Sequence, residues 1–147
     1  MLLHSSQHIP TSALEVKVNG HTIDRVQRYR FLGVTITDTL SWSDHIDQVC
    51  SKASRGLNLL QRLAWFLPRS ALVCYYNAYV LPHLMYAAPV WSSCTKAQST
   101  KVEGLQNFAA RIVLRCYGYA SATSMRNELV WPTLLSRRIL GEILILH

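Results

Sequence analysis

Residues 1 to 40 read as strand, and within them apolar and polar positions alternate from Leu14 to Val18, the two-residue period of a half-buried strand. Leu14, Val16 and Val18 are interleaved with Glu15 and Lys17, and Asn19-Gly20 follows directly. An Asn-Gly pair supplies both positive-φ positions of a type I′ turn, so a hairpin is predicted whose return strand covers His21 to Val26. Tyr29 to Ile36 is a further β-rich run with Leu32, Val34 and Ile36 on one face. Gly33 in its middle marks either a bulge or a place where another backbone comes close.

From Ser41 onward the period lengthens to that of a helix. Ser41-Trp42-Ser43-Asp44 fits the capping-box pattern, and behind it Ile46, Val49, Cys50, Ala53, Leu57, Leu60, Ala64 and Leu67 recur every three or four residues. That spacing predicts one long amphipathic helix ending at Pro68. A second helix is predicted to begin near Ser70 and to bend or stop at Pro82, with a shorter helical or irregular piece through Trp91. A third runs from about Gln98 to Tyr117 on the seam Val102, Leu105, Ala109, Ile112 and Cys116, with Gly118 as its stop. Two shorter helices follow, about Ala122 to Leu129 and, with Pro132 at its first turn, Thr133 to Leu146. The fold class read from this pattern is α+β, mainly α. A short N-terminal β-hairpin or meander, residues 1–40, leads into a bundle of four to five helices, residues 41–147. No internal repeat, low-complexity tract or Gly/Ser linker interrupts it. Ile143 to His147 carries no cap, so the chain is expected to be cut from a larger fold.

Length and composition allow one sizeable core and no more, with 147 residues of which 50% are hydrophobic. Ala71 to Trp91 has nearly the length of a bilayer span, with Asn77 and His83 as its strongly polar residues. Pro82, Pro89 and four tyrosines within it favour a buried, proline-interrupted helix pair, so no membrane contact is expected. The N-terminus lacks the charged n-region and apolar run of a signal peptide, and the protein is expected not to be secreted. Cys50, Cys74, Cys94 and Cys116 lie at least twenty residues apart, without C-x-x-C or a His pair at ligand spacing, so no zinc site is predicted. Each falls in an apolar stretch and reads as a small hydrophobe in a reducing intracellular compartment, nuclear or cytoplasmic.

The net charge of +7 is informative through its placement. Residues 1–51 carry four Lys/Arg against five Asp/Glu, and residues 127–147 two of each sign. Between Lys52 and Arg126 stand nine Lys/Arg and a single acid, Glu103. Such a segment attracts a polyanion, and phosphate backbones are the commonest one.

Catalysis is not expected from these residues. Polymerases, nucleases and phosphatases need at least two carboxylates converging on a divalent metal, and the acids here are scattered. Asp44 and Asp47 are the nearest pair on one helix, with Asp44 explained as a cap and Asp47 as part of a solvated turn. The basic positions say more. Lys52, Arg55 and Arg62 lie off the apolar seam of the first helix, and Arg69 continues the seven-residue spacing of Arg55 and Arg62. On the third helix Arg111 and Arg115 form an i, i+4 pair with Lys101 and Asn107 on the neighbouring surface. Two basic faces could grip a duplex backbone without reading sequence, or be ordinary solvated faces opposite a seam. Tyr75, Tyr76, Tyr79, Tyr86 and Trp91 fall at core-like spacing and read as packing residues more readily than as base-stacking platforms.

Several strings, in order, resemble reverse transcriptases of LINE-type (non-LTR) retrotransposons, jockey-like members in particular. Tyr29-Arg30-Phe31-Leu32-Gly33-Val34 and then Leu40-Ser41-Trp42-Ser43-Asp44-His45-Ile46 resemble the "YLGV, then L-x-W-x-x-H-I" stretch downstream of the palm. Lys52 and Leu57 to Arg62 match in the following helix. Tyr79 to Tyr86 with Pro89-Val90-Trp91 resembles "LPHLxYGxxVW". Leu105-Gln106-Asn107 with Ala110-Arg111-Ile112 resembles "LQNxxxRxI". Trp131-Pro132-Thr133-Leu134 through Arg137-Arg138 resembles "WLPLxxRR", without the apolar residue between Trp131 and Pro132.

The resemblance implies that Phe31, Leu32 and Gly33 belong to the primer grip and that the helices form a thumb clasping an RNA/DNA template-primer duplex. Lys52, Arg55, Arg62, Arg111 and Arg115 are then the positions to examine for nucleic-acid contact. The family's metal-binding Y/F-x-D-D motif has no counterpart, since no Asp-Asp dipeptide occurs. Met1-Leu2-Leu3 resembles the strand after that motif. The chain is expected to need no cofactor itself, Mg belonging to the palm, and not to polymerise alone. The reading from a different class is a non-catalytic remnant or co-opted protein-interaction module, in which the apolar strand edge and the Ala71 to Trp91 surface, built to pack on an absent palm, bind a protein or self-associate; on the first reading the reverse-transcriptase palm is the expected partner.

Overall fold

The computed structural model describes residues 17–22, 26–116, 118 and 120–145. Strands come first and helices after, so the α+β, mainly α class is what the chain adopts. It divides into two compact units, Met1–His45 and Ile46–His147.

In the first unit β1 (Lys17–Val18) pairs antiparallel with β2 (His21–Thr22) around Asn19 and Gly20, whose φ angles are 50° and 82°. This is the predicted type I′ turn. The predicted flanks at Leu14 and Val16 and at residues 23–25 lie outside the described residues. The run Tyr29 to Ile36 is not one strand. It folds back as β3 (Arg28–Phe31) and β4 (Val34–Thr37), in a register that pairs Phe31 with Val34. Leu32 and Gly33 are therefore the turn, at φ 46° and 81°, so Gly33 marks a chain reversal rather than a bulge. Two adjacent positive-φ residues match the twist of the flanking strands and close the ladder in two residues. Leu32 leaves the face it was expected to share with Val34, being exposed at the tip while Val34 is buried.

In the second unit α1 (Ser43–Leu63) carries its buried seam as predicted, Ile46 through Leu60. The helix stops at Leu63, however, and Ala64 to Leu67 form a turn before Pro68. Its start is held by Ser41 Oγ, which accepts from the Ser43 N–H at 3.4 Å, while Asp44 pairs with Arg28 at 3.1 Å. Next, α2 (Arg69–Tyr75), a π-helical turn (Tyr76–Val80) and α3 (Leu81–Met85) run on without a break in helical backbone. Pro82 has no N–H to give, and the wide turn lies immediately upstream of it. Tight turns then lead through Trp91 to α4 (Lys96–Leu114), opened by a full capping box. Thr95 Oγ1 accepts from the Gln98 N–H and Gln98 Oε1 accepts from the Thr95 N–H. The last two helices are α5 (Ala122–Leu129), capped by Ser121, and α6 (Leu134–Ile145). Thr133 Oγ1 accepts from the Ser136 N–H at the start of α6, and Pro132 stays outside it.

Helix α4 is the hub, packing on α2, α5 and α6. Its buried face is Val102, Gln106, Ala109, Ala110, Ile112 and Val113, which rotates the predicted seam past Leu105. Gln106 accounts for the shift, donating from Nε2 to the Pro132 carbonyl at 2.8 Å from a fully buried position. Among the aromatics, Tyr76 and Trp91 are buried as expected, whereas Tyr79 and Tyr86 are exposed. Tyr76 stacks on Trp131 at 4.1 Å between ring centroids. The four thiols are free, and Cys74 is exposed, contrary to its apolar surroundings in the sequence. Among the described residues no helix is long and apolar enough to cross a membrane.

Candidate nucleic-acid interface

Two groups of predicted contact residues fall in different units. Phe31, Leu32 and Gly33 make the tip of the β3–β4 hairpin, where Phe31 is 56% and Leu32 76% exposed. The basic positions belong to α1 and α4. These helices run in the same direction, because Lys101 Nζ reaches Asp47 at 2.6 Å near both starts and Arg115 reaches Ala64 near both ends.

Structure sorts the cations by what already engages them. Arg69 pairs with Glu128 Oε1 at 2.7 Å and also donates to the Glu128 carbonyl at 3.2 Å. Lys101 pairs with Asp47, which holds its ammonium above the usual lysine value chiefly through that hydrogen bond. Arg126 donates to Asn107 Oδ1 at 2.7 Å and lies 3.8 Å from Glu103. Glu103 also accepts the backbone N–H of Leu134 at 2.9 Å, so this acid braces helices.

Arg115 does not stand with Arg111 on a helix face. Helix α4 ends at Leu114, and Arg115 is its C-cap at φ 53°. Its Nη2 donates to the carbonyls of Ala64 at 2.8 Å and Leu67 at 3.1 Å. Those carbonyls belong to the turn that follows α1, where a cation satisfies otherwise open acceptors close to the negative end of the helix dipole. Gly118, expected to stop the helix, is not needed for it.

Of the predicted contact residues, Lys52, Arg55, Arg62 and Arg111 remain. All four are exposed, and no carboxylate lies within 4 Å of any of them among the described residues. Lys52 to Arg62 covers ten residues, about 15 Å of helix axis or some four base-pair steps of a duplex. Arg111 stands one turn before Arg115 and so level with the last turn of α1. Sequence reasoning missed the residues beside Arg62: Asn58, Gln61, Trp65 and Phe66 line a shallow depression with it, about 660 Å³ in volume. The signal was present, since Trp65 and Phe66 fall off the apolar seam, where a large aromatic has nothing to pack on. Among the described residues no three His, Cys, Asp or Glu side chains cluster closely enough to hold a metal ion.

The described residues thus form a strand-led helical bundle with exposed cations on two parallel helices. The chain is similar to RNA-directed DNA polymerases of non-LTR retrotransposons, of the jockey and R1 kinds, over about four fifths of its length. It is 28% identical over 125 residues to the RNA-directed DNA polymerase from mobile element jockey of Drosophila melanogaster, 81% of this chain and 13% of that protein. To the probable RNA-directed DNA polymerase from transposon BS of the same organism it is 23% identical over 120 residues, 78% of this chain and again 13% of the relative. A Pol polyprotein from the type-1 retrotransposable element R1 3 of Nasonia vitripennis is 26% identical over 119 residues, 30% of its own length. The chain thus spans 13% to 30% of the relatives it matches. No protein-family model and no solved structure matches it.

Proposed function

We propose that this chain is the primer-grip and thumb part of a retrotransposon reverse transcriptase, and that it holds the RNA/DNA template-primer duplex by its phosphate backbone. The observation that carries the reading is the unpaired set Lys52, Arg55, Arg62 and Arg111 on parallel helices, in a chain similar to RNA-directed DNA polymerases. Phosphate contacts of this kind position a duplex without specifying its sequence, which suits a template of any sequence. The hairpin tip Phe31-Leu32-Gly33 takes the primer side in this reading. The paired carboxylates and Mg of the polymerising step belong to a palm domain, the partner of this unit.

Titration of a labelled RNA/DNA hybrid at increasing salt tests it. Four phosphate contacts predict a log–log slope of about −3 to −4, and the double variant Arg55→Glu, Arg62→Glu should bind more weakly with a shallower slope. Absence of binding at low salt, or binding that salt does not weaken, would count against the proposal.

One observation favours a second reading, the interaction module. Helix α6 leaves Leu135, Ile139, Leu140, Ile143 and Leu144 exposed, an apolar surface suited to self-association. Light scattering over a hundredfold range of concentration tests that reading, and an invariant monomer would remove it.

A further inference from the structure

The turn between α1 and α2 places two large aromatic side chains in solvent. Trp65 is 78% and Phe66 85% exposed. The turn itself is well tied down. Phe66 and Leu67 both donate to the Leu63 carbonyl at 3.0 Å, Arg115 holds the carbonyls of Ala64 and Leu67, and Ala64 is buried beneath. With the backbone beneath them ordered, the rings have only their side-chain torsions left to fix on binding.

The surroundings select the ligand. Asn58, Gln61 and Arg62 line the depression with the two rings, giving two π-faces, one guanidinium and two amides, with no carboxylate in the lining. Arg62 is also the end of the cation row that begins at Lys52. An apolar partner helix would meet polar groups on one side of this depression. An unpaired nucleotide strand would find a use for each group: rings for its bases, guanidinium for its phosphates, amides for base edges.

We propose that Asn58, Gln61, Arg62, Trp65 and Phe66 form a binding site for an unpaired nucleotide strand, with bases stacked on Trp65 and Phe66 and a phosphate on Arg62. Arg115 is a positioning residue for the turn. The proposal draws on the duplex reading above only in taking this strand to be the single-stranded continuation of the same nucleic acid.

The test uses the full chain with two probes, a labelled 12-nucleotide oligouridylate and a blunt RNA/DNA hybrid, read by fluorescence anisotropy. Stacking losses of about 1–3 kcal/mol per base at two rings predict that Trp65→Ala, Phe66→Ala binds oligouridylate at least about 30-fold more weakly. Binding of the blunt hybrid should change by less than about twofold, and an unchanged thermal midpoint shows that the fold is kept. Oligouridylate should quench wild-type tryptophan emission through Trp65, and Trp65→Phe should abolish that quenching while keeping most of the affinity. Wild-type affinity in the double alanine variant overturns the site, as does a wild-type chain that binds the hybrid but no oligouridylate, which leaves the duplex reading standing. Binding of oligouridylate without the hybrid overturns the duplex reading alone, and failure of both probes overturns both.

Discussion

Gly56 lies inside a 21-residue helix, where alanine is the better helix former by about 1 kcal/mol. A Cβ at this position would stand 3.0 Å from Val80 Cγ2 and 3.8 Å from the Tyr79 carbonyl oxygen. Val80 is fully buried in the π-helical turn and has no room to retreat. Gly56→Ala should therefore destabilise the protein by roughly 1–3 kcal/mol despite the gain in propensity, measured as a lower thermal midpoint. The thiols differ by the same logic of space. Burial pushes the Cys50 thiol above its ordinary value, with Lys101 pulling it back and Asp47 adding to the rise. A raised folded-state value protects the neutral thiol below the unfolded value and loses that protection as pH climbs through the folded one. An aromatic disulfide reagent at neutral pH should thus modify exposed Cys74 first and Cys50 last, with Cys50 quickening only in alkali.

Strings that carry the family resemblance meet at the joints between elements. Trp91, from the Pro-Val-Trp string, lies beneath the guanidinium of Arg138, from the Arg-Arg string, at 4.9 Å from ring centroid to Cζ. Gln106 ties α4 to Pro132, Asn107 ties it to Arg126, and Tyr76 stacks on Trp131. Arg138 is buried with Cys94 Sγ and Ser99 Oγ as hydrogen-bond partners and no carboxylate within 4 Å among the described residues, so the ring face is what offsets its charge. Trp91→Leu and Arg138→Met should each destabilise, and the double variant should fall short of their sum by about 1 kcal/mol or more in urea denaturation. These joints also explain what could be read in advance. The bounds of α5 were read as they stand, whereas α4 was placed from about Gln98 and its Thr95-x-x-Gln98 box, although present in the sequence, was passed over. Neither the π-helical turn nor the end of α4 was legible: Val80 packs on Gly56 far away in sequence, and Arg115 adopts its left-handed conformation while holding carbonyls some fifty residues back.

Over the whole molecule, the charge excess read from the sequence resolves into a smaller working set. Arg69, Lys101, Arg115 and Arg126 of the basic middle segment are engaged inside the protein. No pattern of single residues could reveal this, because each partner comes from a distant element. Exposed pairs such as Arg69 with Glu128 add little stability, at most about 1 kcal/mol, yet they decide which cations are left to meet a phosphate. The hairpin tip concerns stability in the opposite sense. Leucine at φ 46° pays roughly 1 kcal/mol that asparagine would largely avoid. Leu32→Asn should accordingly raise the thermal midpoint of the free protein, and in the proposed reverse transcriptase it should weaken retention of a primer terminus. On that proposal, leucine in place of a better turn-former exchanges some folding stability for an apolar contact at the tip.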